Sequence, residues 1–275
     1  MTPPASSFTF EPAFAVAAAG AAVLYLRSAR RQSVPGWRRA ACITGLVLIA
    51  VPLNSPLETV AVHYLLLGHL VQNALIADVA PPLVLLGLTP AMGAAVVRRL
   101  GPPGRLLNSG FTWPLWVVGW YSTHLTRPYT YALEHPLALD AEHAFLIAIG
   151  ICFWWPVIVP VKRRLTSGVA VLYLLGAFVA ASFLGLAYTF IPRPLYPYYV
   201  DAPRLWGISA ARDQNLGGVL MTAEQSAVFL TAVAFTLLRL LEEDDERASR
   251  QTADALQREA ARARSAAGRH NSPPA

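Results

Sequence analysis

The sequence predicts an all-α fold, a polytopic membrane bundle of seven transmembrane helices with its N-terminus outside and its C-terminus in the cytoplasm. Three observations carry that prediction. Of 275 residues, 55% are hydrophobic and only 14% charged, against about 25% charged in a soluble domain. The mean hydropathy is +0.44, and the apolar residues come in runs of bilayer-spanning length. The cations, arginines apart from the single lysine Lys162, gather between those runs and after Glu242.

A spanning helix needs about 20 mainly apolar residues. Pro12 to Leu26 is the first run, closed by Arg27, Arg30 and Arg31. Ala40 to Leu53 is the second, entered after Arg38 and Arg39 and ended by Pro52 and Pro56. The third starts near Glu58 and reaches Ala80 with a heavy polar load: His63, His69, Gln72, Asn73 and Asp78. Pro81 and Pro82 then break the helix, because proline removes a donor and crowds the preceding turn. Leu83 to Leu88 completes the crossing as a kinked continuation, or lies as a re-entrant piece. Arg98, Arg99 and Arg105 follow in a Gly/Pro-rich loop. The fourth helix is Phe111 to Leu125, rich in Trp and Tyr; the fifth is Leu139 to Val161, ended by Lys162, Arg163 and Arg164. Val169 to Phe190 is the sixth; a Pro-rich loop leads to the seventh, Leu216 to Leu241. The chain thus divides into a transmembrane domain, 1–241, and a charged cytoplasmic tail, 242–275, helical and then disordered at Pro273 and Pro274.

Orientation follows from the arginines, since cytoplasmic loops carry the excess of positive charge. The loops after helices one, three and five are the basic ones; no arginine lies between helices two and three and Arg127 alone between four and five, while the long sixth loop holds Arg193, Arg204 and Arg212 offset by Asp201 and Asp213. Seven crossings with odd-numbered loops inside fit that alternation. Met1 to Glu11 lacks a positive n-region and a small-residue cleavage site, so no removable signal peptide is expected. Cys42 and Cys152 lie within apolar runs with no C-x-x-C, which predicts buried thiols rather than a disulfide framework. The basic balance marks membrane orientation, not nucleic-acid binding. No P-loop, G-x-G-x-x-G or H-E-x-x-H is present, and no enzymatic turnover is expected.

Ionisable groups inside a bilayer cost roughly 2.5–3.5 kcal/mol each on insertion scales, so they call for a functional reading. At 1.5 Å per residue, His63 lies about 8 Å and His69 about 16 Å along the third helix. His124 ends the fourth helix, His135 lies in the next loop, Glu142 and His143 open the fifth, and Asp213 and Met221 open the seventh. All eight fall on the outer half of the bundle in this topology. Imidazole suits copper, zinc and iron, and thioether favours Cu(I), so a copper site is expected there. His63 and His69 are about 240° apart on an ideal helix and cannot share an ion. His69 and Asn73 share a face. His69 is therefore the deeper ligand candidate and His143 its partner. Asp213 has an alternative role as cap of the seventh helix, Gly217 and Gly218 as close-packing positions, and the tryptophans as packing residues or interface anchors.

The stretch His69-Leu-Val-Gln-Asn73, then Ala80-Pro-Pro-Leu-Val-Leu-Leu-Gly87, resembles the CtaG family of cytochrome c oxidase assembly factors. So do His124-Leu125, Glu134-His135-Pro136, Ala141-Glu142-His143, Phe153-Trp154-Trp155-Pro156-Val157, Leu195-Tyr196-Pro197-Tyr198 and the segment Asp213 to Met221. The resemblance covers about residues 10–240, in family order. It implies a bacterial plasma-membrane protein that assembles caa3-type oxidase, with oxidase subunits as partners and copper as its cargo for the outward-facing centre. Members commonly carry a second histidine where this chain has Asn73. Thr222-Ala223-Glu224 stands where the family more often reads Trp-Val-Pro. A metal-free scaffold for oxidase subunits, a copper transporter and a membrane haem protein are the competing readings.

Overall fold

The structure, a computed structural model, describes residues 2–162 and 164–270. Among them lie twelve α-helices and no strand. They are α1 (Pro12–Arg31), α2 (Gly36–Ala50), α3 (Pro56–His63), α4 (Leu66–Asn73), α5 (Ala80–Leu86), α6 (Pro90–Leu100), α7 (Ser109–Thr123), α8 (Thr126–Glu134), α9 (Pro136–Ile158), α10 (Ser167–Phe190), α11 (Pro197–Asp201) and α12 (Ala210–His270). Arg163, Pro273 and Pro274 of the reading above lie outside the described residues.

Among the described residues, five segments have the length and hydropathy to cross a membrane: Pro12–Arg31, Leu66–Leu86, Pro136–Ile158, Ser167–Phe190 and Ala210–Asp254. Helices α2 and α7 have 15 residues each, about 22 Å of helix against a hydrocarbon core of about 30 Å. They pack beside the longer helices, α2 on α1 and α5, α7 on α9 and α10. Five of the seven expected crossings are thus marked by length. The outward faces are apolar: on α10, Leu172, Val179, Phe183 and Phe190 are all exposed. Continuous apolar surface of that kind is what a lipid solvent calls for.

The interior is aromatic. Trp116 and Trp120 of α7, Phe153 and Trp154 of α9 and Phe229 of α12 are buried, with Trp116 and Phe153 ring centroids 4.7 Å apart. These tryptophans are core residues, not interface anchors. Glycines set the closest approaches. A side chain on Gly218 would run into Gly185 and Thr189 of α10, and one on Gly217 would meet Leu70 of α4 at 2.5 Å. Both glycines are therefore close-packing positions. Cys42 and Cys152 are free thiols.

The third run departs from expectation in two ways. It does not start at Glu58 as one helix: α3 ends at His63, and Tyr64 and Leu65 leave the helical conformation before α4 begins. The segment of spanning length is Leu66–Leu86, and Pro81 and Pro82 do not break it. Residues Ala74–Val79 widen into a π-helix, closed by the Ala80 N–H donating to the Leu75 carbonyl. The prolines then occupy the first turn of α5, where their missing N–H groups cost least. Pro81 still has no donor for the Ala77 carbonyl. Gly150 of α9 packs directly onto that oxygen, an approach that any side chain would block.

Two further segments expected as loops are helical. The basic stretch after Leu88 forms α6, whose N-cap is Thr89, with its Oγ1 accepting from the Met92 N–H at 3.2 Å. The stretch between the fourth and fifth helices forms α8. Helix α12 continues through Glu242 without interruption to His270. Pairs such as Arg250–Glu246 and Arg247–Asp244 line this extension.

Asp213 does not cap its own helix. Ser209 Oγ takes the Arg212 N–H at the start of α12. The Asp213 carboxylate instead accepts the N–H groups of Leu66 at 2.8 Å and Leu67 at 2.9 Å. It therefore caps α4 from another helix, where the positive end of the helix dipole favours an anion. Both oxygens accept backbone donors, which gives Asp213 a structural role at the start of α4. Replacing it with alanine is expected to cost about 2 kcal/mol of stability, with asparagine intermediate. Thermal unfolding in detergent followed by tryptophan emission checks this, and equal melting of wild type and alanine variant would contradict the cap.

Candidate functional site

Four parts of the chain meet where α4 and α9 begin. Helix α4 supplies His69, one turn past the Asp213 cap; α9 supplies Glu142 and His143; α3 supplies Glu58; the segment before α1 supplies Glu11. His69 and His143 are both fully buried, with ring centroids 5.7 Å apart. His69 Nε2 lies 3.5 Å from Glu142 Oε1, outside hydrogen-bond geometry. His143 Nδ1 lies 3.3 Å from Glu11 Oε2. That leaves both nitrogens of His69, Nε2 of His143 and one oxygen of Glu142 buried without a hydrogen-bond partner among the described residues.

Behind this pair lies a hydrogen-bonded floor. Gln72 Nε2 donates to Glu58 Oε2 at 2.5 Å and to the Pro52 carbonyl at 3.0 Å. Glu58 also feels the charges of His143 and Glu11, so the cluster is one electrostatic unit. Asn73 is buried with neither amide atom paired among the described residues.

Tyr129 of α8 forms the other wall, its ring 4.7 Å from His69 and 6.4 Å from His124. His124 is buried, not solvated at the end of α7: its Nδ1 meets the Trp120 carbonyl at 2.7 Å, and its Nε2 has no partner among the described residues. The Leu195-Tyr-Pro-Tyr motif closes this side. Tyr196 donates to the His124 carbonyl at 2.7 Å and its hydroxyl touches that of Tyr188. Tyr198 and Tyr199 donate to the carbonyls of Val62 and Ala61, the last turn of α3.

The segment before α1 is tied across the top. Tyr64 donates to the Pro3 carbonyl, Thr59 to the Ser7 carbonyl, and the Glu11 N–H to Asn54 Oδ1. Glu11 and Glu58 carry no periodic or motif signal in the sequence. Only these long-range bonds bring them to the histidines.

The remaining predicted ligands are elsewhere. His63, the last residue of α3 before the helix is interrupted, lines a separate cleft with Thr130, Glu134 and Asp201. His135 is exposed, stacked on Tyr131 at 4.0 Å, with Nδ1 on the Tyr131 carbonyl. Met221 is buried in the aromatic and aliphatic core of α12, and no described polar or ring contact joins it to the histidines. Asp78 sits deeper, fully buried with neither oxygen paired among the described residues, and near Glu224 of α12.

The donor set is therefore two imidazoles with open nitrogens, a carboxylate beside them and a third histidine behind Tyr129. Imidazole suits copper, zinc and iron. Among the described residues no group of three or more His, Cys, Asp and Glu side chains is gathered as a metal centre.

The fold and this interior define a class: a helical bundle of membrane-protein type whose polar groups are turned inward around paired histidines. The chain belongs to the cytochrome c oxidase caa3 assembly factor family, Caa3_CtaG, whose profile it matches over residues 20–243. Neither the curated proteins nor the solved structures compared contain a match.

The floor of the site makes a specific demand on Glu58. Replacing it with alanine leaves one donor of buried Gln72 unpaired and is expected to cost about 1–3 kcal/mol. Glu58→Gln, which keeps an acceptor oxygen, is expected to lose less. Melting of the two variants in detergent measures the difference, and the same melting temperature for both would show that the Gln72 bond adds nothing.

Proposed function

We propose that this chain is a membrane-embedded assembly factor for cytochrome c oxidase that handles copper on the extracytoplasmic side, acting as a partner protein without turnover. The observation that carries the reading is the buried pair His69 and His143, 5.7 Å apart between ring centroids, with three of their four nitrogens lacking a hydrogen-bond partner among the described residues. Unpaired imidazole nitrogens in a closed interior are costly unless something takes them up, and copper is among the ions that imidazole suits. Family membership supplies the client class. In this reading His69 and His143 hold the ion, Glu142 stands beside them, and His124 is the reserve donor behind Tyr129.

The arginine bias of the loops supports a topology with the site outward and the α12 extension in the cytoplasm of a bacterial cell. Helices α2 and α7 then complete seven crossings. A second reading, a metal-free scaffold for oxidase subunits, is favoured by the lack of a three-group metal cluster among the described residues and by Asn73 in place of a further imidazole.

The test is a metal count on protein purified in detergent from copper-supplemented cells, beside a His69→Ala/His143→Ala variant. About one copper per chain is expected in the wild type and almost none in the variant. The variant is also expected to fail to restore oxidase activity in a deletion strain. A folded wild type without copper, or a variant that restores oxidase fully, would remove the copper reading and leave the scaffold.

A further inference from the structure

At the opposite, arginine-rich end of the bundle, α5, α9 and α12 leave a groove of about 900 Å³ between them. Its walls are apolar: Leu83 and Leu86 from α5, Trp154 and Ile158 from α9, Val228 and Phe235 from α12. Its mouth is not. Arg38, Arg164 and Arg239 all line it, from three different parts of the chain. Trp37 lies beside them, exposed, with the Arg38 guanidinium 5.7 Å from its ring centroid.

The three guanidiniums are held in place by their inner edges. Arg38 donates from Nε to the Leu86 carbonyl at 2.8 Å and from Nη2 to Leu88 at 3.0 Å. Arg164 donates from Nε to Val157 at 3.2 Å. Arg239 donates from Nε to Ser167 Oγ at 2.9 Å and to Glu243 at 3.0 Å. Nη1 of all three is left without a partner among the described residues. Arg164 feels the charges of Arg239, Glu243 and Arg38 together. The carboxylate facing the group is Glu243, already paired with Arg239 and held by Ser167, so the mouth carries three positive charges against one negative.

The geometry points to a binding site for one anionic phospholipid, its phosphodiester at Arg38, Arg164 and Arg239 and its acyl chains in the groove between α5, α9 and α12. Fixed guanidiniums with open donors match phosphate oxygens. Basic pockets between membrane helices on one face of a bilayer recognise anionic head groups in this way. An apolar groove of this depth, opening beside an exposed tryptophan, supplies what a head-group pocket alone lacks: a place for the chains. A neutral lipid would fill the groove and leave the arginines facing one another.

The experiment uses the full chain in mild detergent, delipidated and then offered phosphatidylglycerol or phosphatidylcholine with identical acyl chains, with retained lipid counted by native mass spectrometry. The wild type is expected to retain one phosphatidylglycerol in preference to phosphatidylcholine. Arg164→Gln, which removes the charge held by a single backbone bond, is expected to reduce that preference by about fivefold, the worth of one arginine at a charged lipid surface. Ile158→Trp, which fills the groove and leaves every arginine in place, is expected to abolish retention of either lipid. Equal retention of the two lipids by the wild type, or an unchanged preference in Arg164→Gln, would overturn the site. So would retention of lipid by a folded Ile158→Trp variant.

Discussion

Inside a bilayer no water is present to take up a spare backbone N–H or C=O, so each must find its partner within the protein. The segment Leu66–Leu86 is where that constraint bears hardest. Its sequence opens without a capping side chain and carries two consecutive prolines, Pro81 and Pro82, in its last third. The structure answers each defect with a separate device. Asp213 takes the two leading N–H groups, a π-helical turn shifts the register ahead of the prolines, and Gly150 brings its backbone against the carbonyl that Pro81 leaves bare. Two of the neighbours of this segment supply those devices, α12 at its start and α9 at its middle, while α2 and α3 pack on it as well.

The candidate site is a by-product of the same arrangement. Because α4 starts afresh at Leu66, His69 lies in its first turn, facing α9 rather than continuing the face of His63. Because α9 closes on the π-helical turn at Gly150, its own first turns bring Glu142 and His143 to that level. The segment before α1 then closes the top with Glu11. A segment short of local backbone partners thus stands beside side chains that also lack them.

How much of this was legible in the sequence depends on the range of the force that decides each part. Helices α9 and α10 were readable because a long apolar run in a membrane protein has few alternatives to helix. The pairing of His69 with His143 followed from topology, since both stand near the start of helices that enter from one side. The break at Tyr64 and Leu65 was not readable: neither residue is a breaker, and the cap that fixes the new start lies 147 positions away. Thr89-Pro90 did carry a local helix-start signal for α6, a capping hydroxyl followed by proline, masked by the Gly/Pro-rich stretch that follows. Glu11 and Glu58 were invisible for the same reason as the break. Their positions are set by contacts over 14 to 132 residues of chain, to Gln72 and His143, and no local pattern encodes those. The aromatic core shows a different failure, because a tryptophan of a membrane helix reads the same in sequence whether it faces a neighbour or the lipid surface.

The Asp213 cap also imposes an order on synthesis. Leu66 leaves the ribosome long before Asp213, and at roughly 5–20 residues per second the interval is on the order of ten seconds. Throughout that time α4 has no native partner for its first donors. The helix that carries His69 must therefore be inserted before it can be finished, and the newborn bundle holds an unsealed seam until its last spanning helix arrives. A chain truncated before α12 would keep that seam open, with two backbone donors of α4 left without their native acceptor.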